Sequence, residues 1–391
     1  MFSIRKNIRE YEMKKKLLFV ITQFYKGGAE TSLLNLFRIM DPEKYEVDFL
    51  VLNQLEYEGV TSLLKLVPSW IQVYDIMKIG NKHHQAECLV RKIYQRLFHI
   101  ETYTAAAEKI TRGTDYDAAF SFGEWLSPKF IANKVKANRK FVWIHIDIDK
   151  ADFVNKAELV KYDKEIDGYI FASESSMKGS VIICPEMKKK SYVVHNFLDK
   201  EDILKKAEEK IPETLLGLKP YLLSVGNLRI EKNYPRQVEV MNLLKQRGLN
   251  IKWLCVGSRA DKAVLESVER IRERNMLQDD FILCGVDDNP YKYMKNAAAV
   301  MVLSDHESWS LVISEAKILG IPIIATKTSG AQEQLVDGKT GIIVDFDEKD
   351  IADKIEQFLL NRELQSCIRR NLKEEKTVLK GLLEFESLLN G

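Results

Sequence analysis

The chain has 391 residues, 46% of them hydrophobic and 30% charged, with a formal net charge of +2. That length exceeds one ordinary core and suits two domains, each able to bury an interior without disulfide staples. A near-neutral balance excludes nucleic acid as the principal partner, and five scattered cysteines without a Cys-x-x-Cys pair disfavour a disulfide framework or a structural zinc site and place the chain in a reducing, cytoplasmic compartment.

Met1 to Lys16 is mixed and charged rather than basic and then apolar, so it does not read as a secretory signal, and Met13 offers an alternative start. No apolar run is long enough to span a bilayer, so any membrane association is expected to be peripheral. Leu17 to Thr22 reads as a strand, Gln23 to Gly28 as a loop, and about Ala29 to Met40 as a helix. Gly27 and Gly28 leave the amino end of that helix open to close approach, and its partial positive charge favours a phosphate. Neither Gly-Lys-Ser/Thr nor Gly-x-Gly-x-x-Gly is present there, so triphosphate hydrolysis and dinucleotide redox chemistry lose support.

Further strands read at Val47 to Leu52, Ile71 to Tyr74, Ala118 to Phe122, Phe141 to Ile146 and Gly168 to Ala172. Their alternation with helical stretches gives a mostly parallel, Rossmann-like α/β sheet. Between Lys82 and Thr111 a helical pattern sets Lys82, Arg91, Lys92, Arg96 and Lys109 beside Leu89, Ile93, Leu97 and Phe98. Such a face is commonly a solvated helix packing its apolar side inward; the alternative is contact with an anionic surface. His145 follows the apolar run Phe141 to Ile144, which places an imidazole at the carboxyl edge of the sheet. Asp147 and Asp149 have an Asp-x-Asp form but read as solvated or acceptor-facing.

Tyr192 to Asp199 begins a hinge, Lys200 to Lys210 is a charged helical segment, and Pro212 to Pro220 connects. Tyr221 to Val225 restarts the pattern as a strand, followed by the turn at Gly226 and a helix from Pro235 to Arg247. This repeat of strand, glycine turn and helix is the duplication expected of two Rossmann-like domains. Ile251 to Val256 and Phe281 to Gly285 are further strands, the second ending at Val286, with Cys255 and Cys284 as inert thiols inside them. Val300 to Leu303 reads as a buried strand, and after a polar loop Ser310 can cap a helix that stops at Gly320. Glu307 lies just past the strand and Glu315 five residues into the helix, so both can face the crevice where an open parallel sheet binds its ligand. Between them, the amides of Leu311 and Val312 make a positive socket for a phosphate. An anion socket flanked by two hydroxyl-accepting carboxylates fits a nucleotide sugar. Asp350 to Leu360 is a helix, and Val378 to Leu389 is apolar on one face.

Glu307-x7-Glu315, followed by Pro322, Ser329-Gly330-Ala331-Gln332-Glu333 and Asp337-Gly338-Lys339-Thr340-Gly341, resembles the donor half of retaining glycosyltransferases of family 4. The resemblance runs from Lys14 over nearly the whole chain and is strongest from Tyr221 to Val344. It implies the α/β GT-B fold, two Rossmann-like domains facing across a cleft. Residues 1–196 would form the acceptor-binding domain, 197–372 the nucleotide-sugar-binding domain, and 373–391 a C-terminal helix packing back on the first. Gly27-Gly28-Ala29-Glu30 resembles the family's glycine loop that approaches the donor diphosphate, and His145 its active-site histidine, which contacts the transferred sugar. Gly226 to Asn233 resembles Gly-Arg-Leu-x-x-Glu-Lys-Asn, which puts Lys232 on the phosphate-binding lysine. Asn227 stands where the family has arginine, leaving Arg229 as the replacement cation. Val286 falls where the family places the nucleotide base against backbone, and Ser308 and Ser310 replace small glycines.

The implied activity is retaining transfer of a hexose from a nucleotide sugar, with a UDP-sugar as the expected donor and no metal or other cofactor. Lys232, Arg229, the Leu311 and Val312 amides and the Gly27-Gly28 loop would hold the diphosphate, and Glu315 and Glu307 would accept ribose and sugar hydroxyls. No nucleophilic carboxylate is evident near His145, which favours same-face attack over a covalent intermediate. The implied acceptor is a glycan or lipid-linked glycan of polysaccharide biosynthesis. That acceptor would bring the first domain to the anionic inner face of a membrane through Lys82, Arg91, Lys92, Arg96, Lys134, Lys136, Arg139 and Lys140. The competing readings are an epimerase or phosphorylase on the same fold and a non-catalytic nucleotide-sugar binding module. A phosphorylase would need pyridoxal phosphate, for which no lysine is marked.

Overall fold

The computed structural model describes residues 13–54, 62–76, 102–148, 154–215, 217–218, 220–258, 261–375 and 380–391, without the side chains of 102–105. The basic stretch through Lys82, Arg91, Lys92 and Arg96, with Leu97 and Phe98, lies outside the described residues, as does Asp149. Two compact units are present. One contains the chain up to Phe171, Ser180–Tyr192 and Phe385–Gly391; the other contains Ala172–Gly179 and Val193–Glu384.

The first unit holds a seven-stranded sheet built from β1 (Lys15–Ile21), β2 (Tyr45–Val51), β3 (Gln72–Asp75), β4 (Asp115–Phe122), β5 (Lys136–Ile144), β6 (Gly168–Phe171) and β7 (Ser191–Val193). Their order across the sheet is β3-β2-β1-β4-β5-β6-β7. The pairings from β3 through β6 are parallel. Leu17, Leu18, Phe19, Val20 and Ile21 are all fully buried, as expected of a parallel strand covered on both faces by helices. Phe19 stacks on Phe120 with ring centroids 4.6 Å apart and meets Phe37 edge-on at 5.3 Å. Phe385, from the C-terminal helix Lys380–Asn390, joins the same cluster 5.6 Å from Phe120 and 6.0 Å from Trp143.

β5 starts at Lys136, five residues before the apolar run that marks it in the sequence. Lys136 to Lys140 pair in register with Asp115 to Ala119 of β4. Hydrophobicity reports only the buried half of a strand whose other half is held by backbone hydrogen bonds at a wet edge.

The second unit holds β8 (Tyr221–Val225), β9 (Lys252–Val256), β10 (Phe281–Gly285), β11 (Ala299–Val302), β12 (Ile323–Thr326) and β13 (Ile342–Val344), in the order β10-β9-β8-β11-β12-β13 and all parallel. The expected duplication is therefore real: both sheets begin with the same doubly wound order, reversing at β1/β4 and at β8/β11. β12 and β13, four and three residues long, are too short to show a period in the sequence. Helices Tyr234–Gln246, Leu311–Leu319 and Glu348–Leu360 cover this sheet. Gly320 ends the second of them with φ +67°, the left-handed stop expected of it. Among the described residues no helix is long and apolar enough to cross a membrane.

Candidate functional site

In the second unit the strand order reverses between β8 and β11, and a ligand crevice forms beyond the carboxyl ends of such strands. Two loops meet there, Gly226 to Asn233 after β8 and Leu303 to Ser310 after β11. They enclose a small pocket whose polar lining includes Lys232, Gln237, Ser304, Glu307 and Ser310, with Val312 from the following helix.

Lys232 is placed by a buried polar chain. Trp253 Nε1 donates to Ser224 Oγ at 2.9 Å, Ser224 Oγ donates to Gln237 Oε1 at 2.7 Å, and Gln237 Nε2 donates to the Lys232 carbonyl at 2.9 Å. Each buried group is paired, so the chain rigidifies the turn rather than destabilising it. The next residue, Asn233, is left-handed at φ +43° and caps helix Tyr234–Gln246 by accepting from the Arg236 amide. Its amide nitrogen and the Arg236 guanidinium both reach Asp305, at 3.1 and 2.6 Å. The backbone N–H of Asp305 donates to the Glu231 carbonyl at 2.8 Å, so the two loops are fastened together.

Glu307, with a side chain only 10% exposed, accepts from Lys232 Nζ at 2.5 Å and from Ser304 Oγ at 2.8 Å. Its backbone carbonyl accepts from the Gly330 amide at 2.8 Å and from Ser329 Oγ at 3.2 Å. A Cβ on Gly330 would lie 2.7 Å from the carbonyl oxygens of both Glu307 and Ser308, so the Ser329-Gly330 motif supports the Glu307 loop and needs glycine to do so. Ser310 takes the N-cap position of helix Leu311–Leu319, but its side chain makes no capping bond. Gln334 holds the position instead, its Oε1 accepting from the Ser310 amide and its Nε2 donating to the Ser310 carbonyl, both at 2.9 Å. The first-turn amides of Leu311 and Val312 have no acceptor within their own helix.

Glu315 is 6% exposed. Its Oε1 accepts from the Tyr291 hydroxyl at 3.1 Å, and it does not line the pocket formed by Lys232 and Glu307. Arg229 and Val286 stand outside that pocket as well. The Arg229 side chain is 59% exposed, 3.9 Å from Glu231, and Val286 is 62% exposed beyond β10. Asn227 has a structural task, since its Oδ1 accepts from the Ser258 amide at 3.1 Å and joins the turns after β8 and β9. Those turns approach so closely that a Cβ on Gly257 would fall 1.8 Å from the Gly226 carbonyl.

His195 supports the same loop from behind. Its ring lies 4.3 Å from that of Trp309, which sits between Glu307 and Ser310, and its Nδ1 is 2.8 Å from Glu384. Nε2 is 3.6 Å from Glu333. Burial alone pulls the imidazole pKa down, but the two carboxylates outweigh it and raise it to about 9.

In the first unit Gly27 precedes helix Gly28–Ile39 with φ −141°, extended backbone open to any residue. A Cβ on Gly28 would meet nothing within 4 Å, while one on Gly27 would meet the Glu30 carboxylate. The helix end is thus open at Gly28 and already faced by an anion at Gly27. His145 follows β5, its ring 4.4 Å from Phe122, and its backbone N–H donates to Glu124 Oε2 at 2.9 Å. Glu124 escapes a reading by motif, and it corrects the expectation that no candidate carboxylate stands near His145. It is 3% exposed, and burial pushes its carboxyl up to about 7. Its only sequence signal is an acid two residues beyond the apolar run that ends β4. The basic residues Lys134, Lys136, Arg139 and Lys140 each have a partner within the unit: Glu108, Asp115, the Leu388 carbonyl and the Ala132 carbonyl. Asp147 is half-buried.

The family described as "Glycosyl transferases group 1" matches residues 205–375. The chain is 30% identical over 188 residues to the N-acetylgalactosamine-N,N'-diacetylbacillosaminyl-diphospho-undecaprenol 4-alpha-N-acetylgalactosaminyltransferase of Campylobacter jejuni, covering 47% of this chain and 48% of that protein. It is 28% identical over 152 residues to the capsular polysaccharide biosynthesis glycosyltransferase CapM of Staphylococcus aureus, covering 38% of each. The match thus spans less than half the length of these curated relatives. Among solved structures, HepE of Anabaena in complex with UDP and glucose superposes with a TM-score of 0.72 at 16% identity, covering 96% of this chain and all of that one. TarM of S. aureus gives 0.71 at 16%, covering 96% of this chain and 100% of that chain. These likenesses show the fold, two Rossmann-like domains of the GT-B type.

Proposed function

We propose, from the match of residues 205–375 to the glycosyl transferases group 1, that the chain is a retaining, metal-independent glycosyltransferase that moves a hexose from a UDP-sugar to a glycan or lipid-linked glycan. The observation that carries the reading is the Lys232–Glu307 pair, held at 2.5 Å between the two switch-point loops beside the amino end of helix Leu311–Leu319.

The chemistry follows from what each group offers. Cleaving the bond between sugar and diphosphate leaves negative charge on the departing phosphate. A fixed ammonium and a helix amino terminus stabilise that charge without reorganising during the reaction. When a diphosphate takes the Lys232 ammonium, the Glu307 carboxylate is released to accept hydroxyls of the hexose. Glu315, one turn deeper and held by Tyr291, is suited to accept ribose hydroxyls. These groups supply the positive charge that a divalent cation would otherwise bring. In same-face transfer the sugar–phosphate bond breaks, the acceptor oxygen bonds the anomeric carbon, and the acceptor proton leaves with the phosphate.

Arg229, Gly27, Gly28 and His145 are assigned to the reaction by resemblance alone, as are the lipid-linked acceptor and peripheral attachment to a membrane. Names among the relatives support the acceptor class, since that of the Campylobacter protein specifies a diphospho-undecaprenol substrate. Calorimetry with UDP-, GDP- and ADP-sugars in excess EDTA tests the reading. Tight UDP-sugar binding without metal is expected; absence of nucleotide binding, or binding and turnover only after Mg or Mn is restored, would remove it.

A further inference from the structure

We propose that Glu124, with Trp125 and His145 around it, forms a subsite in the first unit that takes a hydroxyl of a carbohydrate acceptor. The proposal rests on the transferase reading and adds the residues that recognise the acceptor.

Glu124 lies just past β4, at the carboxyl edge where the strand order of the first sheet reverses between β1 and β4. Its side chain is 3% exposed. Oε2 accepts from the His145 amide at 2.9 Å, whereas Oε1 has no hydrogen-bond partner among the described residues. A carboxyl oxygen taken out of water and left unpaired is costly, and native proteins rarely keep one without a use.

The neighbours indicate what would pair with it. Gly123 is left-handed at φ +108°, and a Cβ there would lie 2.5 Å from the Trp125 ring. Glycine thus lets the indole fold back over the backbone beside Glu124, with the tryptophan still 39% exposed. On the other side the His145 ring is packed against Phe122. An aromatic surface next to a hydrogen-bonding carboxyl matches a sugar, which presents a C–H face and hydroxyls together.

Glu30 is near enough to raise the Glu124 pKa further by repulsion. Burial brings the carboxyl to about 7, so its protonated and ionised forms coexist near neutrality. It can therefore donate to a hydroxyl oxygen or accept a hydroxyl proton.

The test uses the full chain loaded with UDP and two soluble probes, methyl α-D-glucopyranoside and methyl N-acetyl-α-D-glucosaminide. Saturation-transfer NMR reads probe binding, and calorimetry reads UDP affinity, for the wild type, Glu124→Gln and Trp125→Ala. We expect at least one probe to bind the wild type, each substitution to weaken it by about tenfold or more, and UDP affinity to change less than about twofold. The wild-type signal should also vary with pH near 7 and lose that variation in Glu124→Gln. Unchanged probe binding in both variants, or no binding of either probe to the wild type, overturns the proposal and leaves Oε1 to a buried water. Either outcome with UDP binding intact leaves the donor site standing. Failure of the wild type to bind UDP counts against the transferase reading instead.

Discussion

Lys232 Nζ stands 2.5 Å from Glu307 Oε1 across a sequence separation of 75 residues. Each group neutralises the other, and each is the group that the proposed chemistry needs for a different part of the donor. The pair is partly buried, so its attraction is little screened by salt, and removing one partner strands the other charge. In the proposed reaction a diphosphate would replace the carboxylate as the lysine's counter-ion, and hexose hydroxyls would replace the lysine as the carboxylate's donors.

Lys232→Ala should reduce kcat/KM for donor turnover by about 10²–10³, the order of loss seen when one preorganised donor to a developing oxyanion is removed. The same variant should bind UDP more weakly. Steady-state kinetics of UDP release checks the first and calorimetry the second. Normal turnover would take the lysine out of the site.

Gly330→Ala tests whether the helix after β12 supports the Glu307 loop. The added methyl meets two carbonyl oxygens at 2.7 Å, and backbone cannot yield as a side-chain tip can. We expect a loss of about 1–3 kcal/mol in stability from overpacking, and a fall in turnover larger than any fall in nucleotide affinity. Chemical denaturation and kinetics on one preparation separate the two effects. A variant as stable and active as the wild type would show that the loop tolerates displacement.

These two residues also show what a sequence can convey. The places of Lys232, Glu307 and Glu315, just past a strand or early in a helix, were readable from the strand, turn and helix pattern, whereas the roles given to them come from the family resemblance. Gly330 belonged to a motif, but its reason lies in contact with a loop more than twenty residues away. Gln334, which takes over the capping that Ser310 was expected to perform, has no local signal. Neither has Glu124, whose meaning comes from burial beside His145. Among the strands, β8 to β11 showed as apolar runs, whereas the wet half of β5 and the short β12 and β13 are set by pairing with neighbours rather than by their own pattern.

Glu315→Gln should weaken UDP binding by about 1.5–3 kcal/mol, because a buried carboxylate accepting ribose hydroxyls makes charge-assisted bonds that an amide does not. Tyr291→Phe removes one donor to the same carboxylate but leaves the carboxylate itself in place, so it should weaken UDP binding less. Calorimetry with UDP reads both. Equal effects, or none, would mean that Glu315 serves the fold rather than the nucleotide.

His195 provides a pH test of the loop's support. Its folded pKa of about 9 lies above the ordinary 6.5, so its stabilisation is complete below about pH 6.5 and is lost as pH rises through about 9. Hydrogen bonds from His195 and from the Glu174 and Ser175 amides overcome the burial of Glu333 and lower its carboxyl to about 2. That contribution is complete above about pH 4.5 and is lost as pH falls through about 2. The nearby charges are Glu384 with Lys380, and Glu174 with Lys178. The Tm difference between wild type and His195→Gln should therefore shrink from pH 6.5 to 9.5. A difference independent of pH would contradict a charged His195.

Whether Glu307 and Lys232 hold a nucleotide sugar for retaining transfer is read from the anomeric proton by NMR as the chain consumes an α-linked UDP-sugar. We expect an α-configured product with the wild type in excess EDTA, and with Glu307→Gln a bound but unconsumed donor. A β-configured product, or full turnover by Glu307→Gln, would contradict it.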